Sequence, residues 1–342
     1  MSPATLRRRP VTPSRLLRWV DRFSGVPALV WGDLMLDEYW RCRSSRVSRE
    51  APVLVLEHRS RNAEGGGAAN AALNLAALGA RVVVVGWIGG DASGREIRER
   101  LRAAGIDTAG LLVHPTASTI VKTRVVAGAV HTALQQVVRI DRGDPFVLGR
   151  AERADLRSAL TRASRDAAAI VLSDYGYDSV TPALAQTWIS RWRQRRRVVG
   201  LDARYRLAEY RGVTLATPNE AEAAAAANMA ITDELALARA AVRLRRTLAA
   251  TELIVTRGRD GLTWWGPREA FSLAAWGGHE AVDVTGAGDA VVATATLALA
   301  VGAPPHDAAA LANVAGSVAV SRRGAVAVRQ DELRVALRDG SA

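Results

Sequence analysis

Short runs rich in valine and isoleucine alternate with longer alanine- and leucine-rich stretches along most of the 342-residue chain. Apolar runs this short and this continuous suit strands buried on both faces, and the longer stretches between them suit crossover helices. The spacing predicts strands at 28–31, 81–87, 168–172, 197–201, 212–216 and 253–256. Helices are predicted at 68–78, 93–104, 150–164, 181–195, 220–227, 233–248, 287–300 and 305–320. The expected fold class is α/β, a three-layer α/β/α domain with a mostly parallel sheet and helices on both faces.

Two stretches break the alternation, at about 39–59 and 118–141. Val53-Leu54-Val55-Leu56 and Thr119-Ile120-Val121 read as strands with no helix between them, so these stretches form a small antiparallel β element, a lid set against the main domain. The organisation expected is a basic N-terminal arm or helix over 1–25 and one large domain over 26–335, for which an apolar content of 49% supplies an ample core. Arg7, Arg8 and Arg9 imitate the start of a secretory signal, but Leu16-Leu17-Arg18-Trp19-Val20-Asp21-Arg22 is charged and amphipathic where an apolar segment would follow. The longest apolar run, 290–301, is too short for a bilayer, so no membrane partner is expected. A single cysteine, Cys42, excludes an internal disulfide framework, and no zinc-finger spacing occurs, which fits a reducing cytoplasm.

The formal net charge is +12, and Lys122 is the only lysine. The arginines are interleaved with acids on predicted helices, as in Gly94-Arg95-Glu96-Ile97-Arg98-Glu99-Arg100. That pattern is a solvated face rather than a nucleic-acid surface, with an anionic substrate as a further use of the charge.

The densest chemistry lies in Asp283-Val284-Thr285-Gly286-Ala287-Gly288-Asp289, directly before a long apolar helical stretch. Glycines there let backbone N–H groups converge at a helix N-terminus, where the macrodipole and unpaired donors favour an anion. Such a nest stabilises charge on a migrating phosphoryl group, and the carboxylate of Asp289 is placed to accept the proton of an attacking hydroxyl. Alone, Gly-Ala-Gly-Asp could equally cap a helix. A dinucleotide fingerprint is excluded because Val291 stands at the third glycine position, and a P-loop is excluded because no Gly-Lys-Ser/Thr occurs.

This string resembles the C-terminal signature of the PfkB (ribokinase-like) carbohydrate kinases, and Gly65-Gly66-Gly67-Ala68-Ala69-Asn70 with Ala76-Ala77-Leu78-Gly79 resembles their N-terminal one. The resemblance covers about residues 26–330 and implies a ribokinase-like fold acting on ATP and a sugar. It assigns catalysis to Asp289 and the amides of Gly286, Ala287 and Gly288. It assigns sugar binding to Asp33, Asp37, Gly66, Gly67 and Asn70, and organisation of Mg²⁺ to Asn219 and Glu222 of the Asn-x-x-Glu motif. It assigns the nucleotide to Asn219, Thr256, Arg257, Gly258, Gly261, Thr285, Asn313 and Gly324. Oxygens near Asp283 are implied to hold a monovalent cation. Read without the family, Asp33 is a plain strand-end residue and Asn219 to Glu222 a helix cap.

Gly32-Asp33-Leu34-Met35-Leu36-Asp37-Glu38-Tyr39-Trp40 and Ser45-Arg46-Val47-Ser48-Arg49-Glu50-Ala51-Pro52-Val53 further resemble the D-glycero-β-D-manno-heptose 7-phosphate kinases. The activity implied is transfer to the anomeric hydroxyl of that sugar, with Lys122, Arg124 and Arg139 of the lid binding its phosphate. Three positions depart from the subfamily: Tyr177 and Asp178 replace a lysine and a glycine, and Arg204 replaces a second lysine. Another sugar, sugar phosphate or nucleoside as acceptor, or a degenerate sugar- or nucleic-acid-binding protein, therefore stays open at this point. The chain is expected to be the kinase alone, without the nucleotidyltransferase domain of bifunctional relatives. Exposed lid edges suggest a homodimer.

Overall fold

Alternate side chains of the first buried strand enter different cores: Ala28 and Val30 face one, Leu29 and Trp31 the other. The same division recurs at Ala169 and Val171 against Ile170 and Leu172, so the central sheet is apolar on both faces and takes helices on both. This computed structural model describes residues 12–128, 135–277 and 281–340 together with the short strand Arg7–Arg8. The expectations for 1–6, 9–11 and 129–134, parts of the basic arm and of the second lid stretch, lie outside the described residues.

The strands are β1 (Arg7–Arg8), β2 (Pro27–Gly32), β3 (Leu34–Val47), β4 (Leu54–Gly67), β5 (Arg81–Gly89), β6 (Asp107–His114) and β7 (Ile120–Gly128). They continue as β8 (Gln135–Arg142), β9 (Ala169–Asp174), β10 (Val198–Ala203), β11 (Leu215–Ala216), β12 (Glu252–Thr256), β13 (Leu262–Trp265) and β14 (Ala270–Leu273). The helices are α1 (Pro13–Val20), α2 (Ala68–Ala77), α3 (Ala92–Ala103), α4 (Arg150–Ala163), α5 (Pro182–Gln194), α6 (Glu220–Ala227), α7 (Glu234–Leu248), α8 (Ala287–Ala300), α9 (Pro305–Val320) and α10 (Gln330–Asp339). The main sheet has the order β1-β14-β13-β12-β11-β10-β9-β2-β5-β6, parallel except at β12–β13 and β13–β14. Helices α2, α8, α9 and α10 feed one core, and α4, α5, α6 and α7 the other. Start signals in the sequence fix several helices: Thr181 accepts from the Leu184 N–H ahead of α5, and Asp233 from the Ala236 N–H ahead of α7.

The lid is a four-stranded sheet, β4-β3-β7-β8. β3–β4 and β7–β8 are antiparallel, and the two central strands β3 and β7 run parallel. Its pairing begins at Leu34 and runs to Gly67, beyond the 39–59 expected, because β3 leaves the main sheet one residue after β2 and β4 runs directly into α2.

At the N-terminus, α1 is docked rather than frayed. Leu16, Val20 and Phe23 are buried, and the carboxylate of Asp307 on α9 accepts from Arg15 (2.6 Å) and the Trp19 indole (2.7 Å). An amphipathic helix buries its apolar stripe wherever a neighbour offers one. β6, β13, β14 and α10 went unread in the sequence; β13 pairs only over four residues, too few to show a period.

The parallel strands β2, β9 and β10 all end at one edge, where ligands bind in open α/β sheets. There the Asp33 carboxylate accepts three backbone N–H groups from the loop after β9: Tyr175 (2.7 Å) and Tyr177 (3.0 Å) at Oδ2, and Ser179 (2.9 Å) at Oδ1. Asp33 is fully buried, and with three backbone donors on its two oxygens it latches the loop. Asp33→Asn sets an amide N–H₂ against these donors and is expected to lower unfolding stability by about 2 kcal/mol, read as a lower urea midpoint at unchanged slope.

Candidate active site

The N-terminus of α8 is shaped by Gly286, whose φ of +79° is open to glycine and strained for other residues. A Cβ there would stand 2.5 Å from Asn70 Nδ2. The Ala287 N–H turns back to the Val284 carbonyl (3.4 Å), while Gly288 and Asp289 fall in the first turn, where a helix supplies no acceptor. Among the described residues nothing lies within 4 Å of where a Cβ on Gly288 would point, leaving open space above this turn. An anion fits there.

Asp289 is 4% exposed. Its Oδ2 accepts from Asn70 Nδ2 (2.8 Å) and its Oδ1 from the Tyr175 hydroxyl (3.3 Å). The same hydroxyl lies 3.2 Å from Asp202 Oδ2 at the end of β10. A phenol has one proton to give, so the two carboxylates share a single donor. Burial, and then the charge of Asp202, hold Asp289 well above the usual carboxylate range. Burial, and then the charge of Glu222, raise Asp202 in turn. A raised proton affinity suits a carboxylate that is to accept a proton.

The lid closes one side. Asp37 lies against Gly66, where a Cβ would fall 2.2 Å from Asp37 Oδ2, and Gly67 passes under Met35. Arg124 Nη1 donates to Asp37 Oδ1 at 2.5 Å and its guanidinium lies over the Tyr39 ring. Lys122, 7% exposed, faces the Tyr175 and Tyr177 rings. Arg139, opposite Arg124 on β8, is more exposed and holds Asp141 through two bonds of 2.8 and 2.6 Å. A cavity of about 300 Å³ opens beside them, lined by Tyr39, Glu64, Arg124, Asp283, Thr285 and Gly324. A larger one, about 350 Å³, lies between α4 and α5 under Trp31 and Trp188 and contains none of these residues.

The remaining expected residues are placed as follows. Asn219 and Glu222 form a reciprocal cap on α6, Asn219 Oδ1 accepting the Glu222 N–H (2.9 Å) and Glu222 Oε2 the Asn219 N–H (3.0 Å). That leaves one Glu222 oxygen free of this cap. Thr256 bridges to Asn219, and Gly258 and Gly261 turn the chain from β12 to β13. Arg257 pairs with Glu220 (2.8 Å) and Glu234 (2.6 Å), and the Asn313 amide N–H donates to the Ala274 carbonyl (2.7 Å). The Gly324 N–H donates to Asp283 Oδ2 (2.9 Å). Asp289, Asn70, Asp37, Lys122 and Arg124 are brought together. Asp202 and Tyr175 are site residues the sequence reading left unassigned; acids at the ends of two successive parallel strands, Asp174 and Asp202, were the available signal.

A family model described as pfkB family carbohydrate kinase matches residues 28–332. The protein called bifunctional protein HldE in Geobacter metallireducens is 40% identical over 309 residues, covering 90% of this chain and 62% of that protein. Its namesake in Mesorhizobium japonicum is 37% identical over 333 residues, covering 97% and 66%. The chain thus spans less than two thirds of the length of the curated relatives it matches. Among solved structures, an Arabidopsis thaliana ribokinase complexed with ribose and ATP superposes with a TM-score of 0.72 at 18% identity, over 92% of this chain and 99% of that one. Phosphofructokinase-2 from Escherichia coli, in complex with substrates and products, gives 0.75 at 20% identity, over 93% and 100%. At these identities the structures report the fold.

Removing the Asp202 charge lowers the Asp289 pKa, since a neighbouring negative charge opposes ionisation. Carboxyl-resolved NMR titration is expected to find the Asp289 midpoint above the ordinary carboxylate range in the native protein and at lower pH in Asp202→Asn.

Proposed function

The chain belongs to the pfkB family of carbohydrate kinases, and on that premise we propose that it transfers the γ-phosphoryl group of ATP to the anomeric hydroxyl of D-glycero-D-manno-heptose 7-phosphate, giving the 1,7-bisphosphate. The observation that carries the reading is the buried Asp289 carboxylate beside an open helix N-terminus. The heptose is supported by the stretches 32–40 and 45–53, and by the shared name of the curated relatives.

In this mechanism Asp289 takes the proton of the attacking hydroxyl. Asn70 and Tyr175 hold its two oxygens, fixing the carboxylate plane toward the acceptor. The amides of Gly288 and Asp289 receive the phosphoryl oxygens as charge develops on them. Asp37 accepts from sugar hydroxyls between Gly66 and Arg124. The lid excludes water, which protects ATP from hydrolysis. Lys122, Arg124 and Arg139 answer the charge of the 7-phosphate.

Mg²⁺ arriving with the nucleotide needs only one or two protein carboxylates. Glu222, with one oxygen outside its cap, and Asp202, whose carboxyl the Glu222 charge raises, fit that requirement. When bound, the ion offsets charge on the transferring group. A monovalent cation fits near Asp283, where a buried oxygen of Glu64 has no hydrogen-bond partner among the described residues and the Asp283 carboxylate itself is taken by the Thr285 and Gly324 amides. Exposed Val47, Val53, Leu54, Val137, Val138 and Ile140 on the lid support a homodimer joined through that sheet. A cytoplasmic setting is part of the proposal; among the described residues no helix is long and apolar enough to cross a membrane.

ADP release with Mg-ATP is measured across both anomers of heptose 7-phosphate, fructose 6-phosphate, ribose and adenosine. Turnover of the heptose is expected, with kcat lowered about 10²- to 10⁴-fold in Asp289→Asn. Turnover of another sugar alone removes the heptose and keeps the base.

A further inference from the structure

Of 46 lysine and arginine residues one is lysine, and the fold buries that one in the site. The Lys122 ammonium stands 5.3 Å from the Tyr175 ring centroid and 5.5 Å from that of Tyr177. It forms no ion pair among the described residues. Asp37, its cross-strand neighbour on β3, is bound by Arg124, and Asp141, its neighbour on β8, is bound by Arg139. Burial lowers the Lys122 pKa; Asp37 works against that, while the cations Arg204 and Arg139 add to it. Three N–H donors are therefore held in a buried, locally cationic place with ring faces as their nearest partners.

We propose that Tyr175 and Tyr177 form a neutral clasp that keeps this ammonium uncompensated and aims it at the anionic group of the acceptor, which makes Tyr177 a specificity-determining residue. The inference rests on the reading of the acceptor as a phosphorylated sugar. Ring faces hold a cation without neutralising it, whereas a carboxylate at position 177 would consume the charge and a second cation would repel it. A compact ammonium seats between two rings and keeps its donors, where an arginine fork would need a planar partner. The clasp is fixed at both ends. The Tyr177 N–H goes to Asp33 and its carbonyl accepts from the Phe146 N–H at 2.9 Å. Arg206 holds Asp174 through two bonds of 3.0 and 2.6 Å and reaches Asp178, which adopts a φ of +66°. Tyr177 acts through Lys122 and is a positioning residue.

The native protein, Tyr177→Phe, Tyr177→Ala and Lys122→Met are compared in steady-state kinetics and calorimetric binding, with heptose 7-phosphate and with the same heptose lacking the phosphate. Tyr177→Phe keeps the ring and is expected to stay within about twofold of the native KM. Tyr177→Ala and Lys122→Met are expected to raise KM and Kd for the phosphorylated sugar at least tenfold, with kcat changed less than threefold and the unphosphorylated sugar bound equally by all four. An unchanged KM in Tyr177→Ala, or an equal loss for both sugars, overturns the clasp and leaves the kinase reading standing. Native protein that binds heptose 7-phosphate in a Tyr177-dependent way without turning it over overturns the kinase reading and leaves the clasp, and native protein that does not bind it overturns both.

Discussion

The Asp33 carboxylate holds the loop leaving β9 by three backbone N–H groups, and the placement of the other site residues follows from that attachment. With the loop fixed, the Tyr175 hydroxyl comes to rest between Asp202 and Asp289, and both tyrosine rings come to rest under Lys122. Gly32 is part of the same constraint, since a Cβ there would meet the Ser173 carbonyl oxygen at 2.1 Å. Asp174 extends it on the far side, accepting from Arg206, Tyr210 and the Gly176 amide. The loop thus has its donors committed to carboxylates that belong to the sheet, which is how an irregular segment can be rigid at the edge of an α/β domain.

Like charges then set the chemistry. Burial disfavours ionisation of Asp289, Asp202 and Glu222, and a neighbouring carboxylate disfavours it further at Asp289 and at Asp202. The site opposes this with helix donors at α8 and with the cations Lys122, Arg124 and Arg139 from the lid. One side therefore suits a proton acceptor with metal-carried phosphates, and the other an anionic substrate. Asp37, paired to Arg124, marks the boundary between them.

Much of this was legible in the sequence where local pattern decides structure. The β2, β9, β10 and β12 strands sit within a residue or two of their expected places because each is a buried apolar run, and α6 and α7 begin at the Asn219 and Asp233 caps. The Gly286–Asp289 turn was readable because few backbones need that string. What the sequence could not show was the use of a side chain by distant backbone. Asp33 was given a role by the resemblance alone, and its three backbone partners lie 142 to 146 residues away. The side-chain partners of Arg257 and Asn313, namely Glu220, Glu234 and Ala274, are likewise remote in sequence. Tyr175 was left unassigned because its bridge between two carboxylates exists only once β9, β10 and α8 are packed together.

The most direct test of the central claim, that Asp289 is the base at the α8 N-terminus, is a crystal structure of the protein with a non-hydrolysable ATP analogue, Mg²⁺ and heptose 7-phosphate. The account predicts the anomeric hydroxyl within about 2.6–3.2 Å of an Asp289 oxygen, with the terminal phosphoryl group over the Gly288 and Asp289 amides. A hydroxyl directed away from Asp289, or a phosphoryl group held elsewhere, would contradict it.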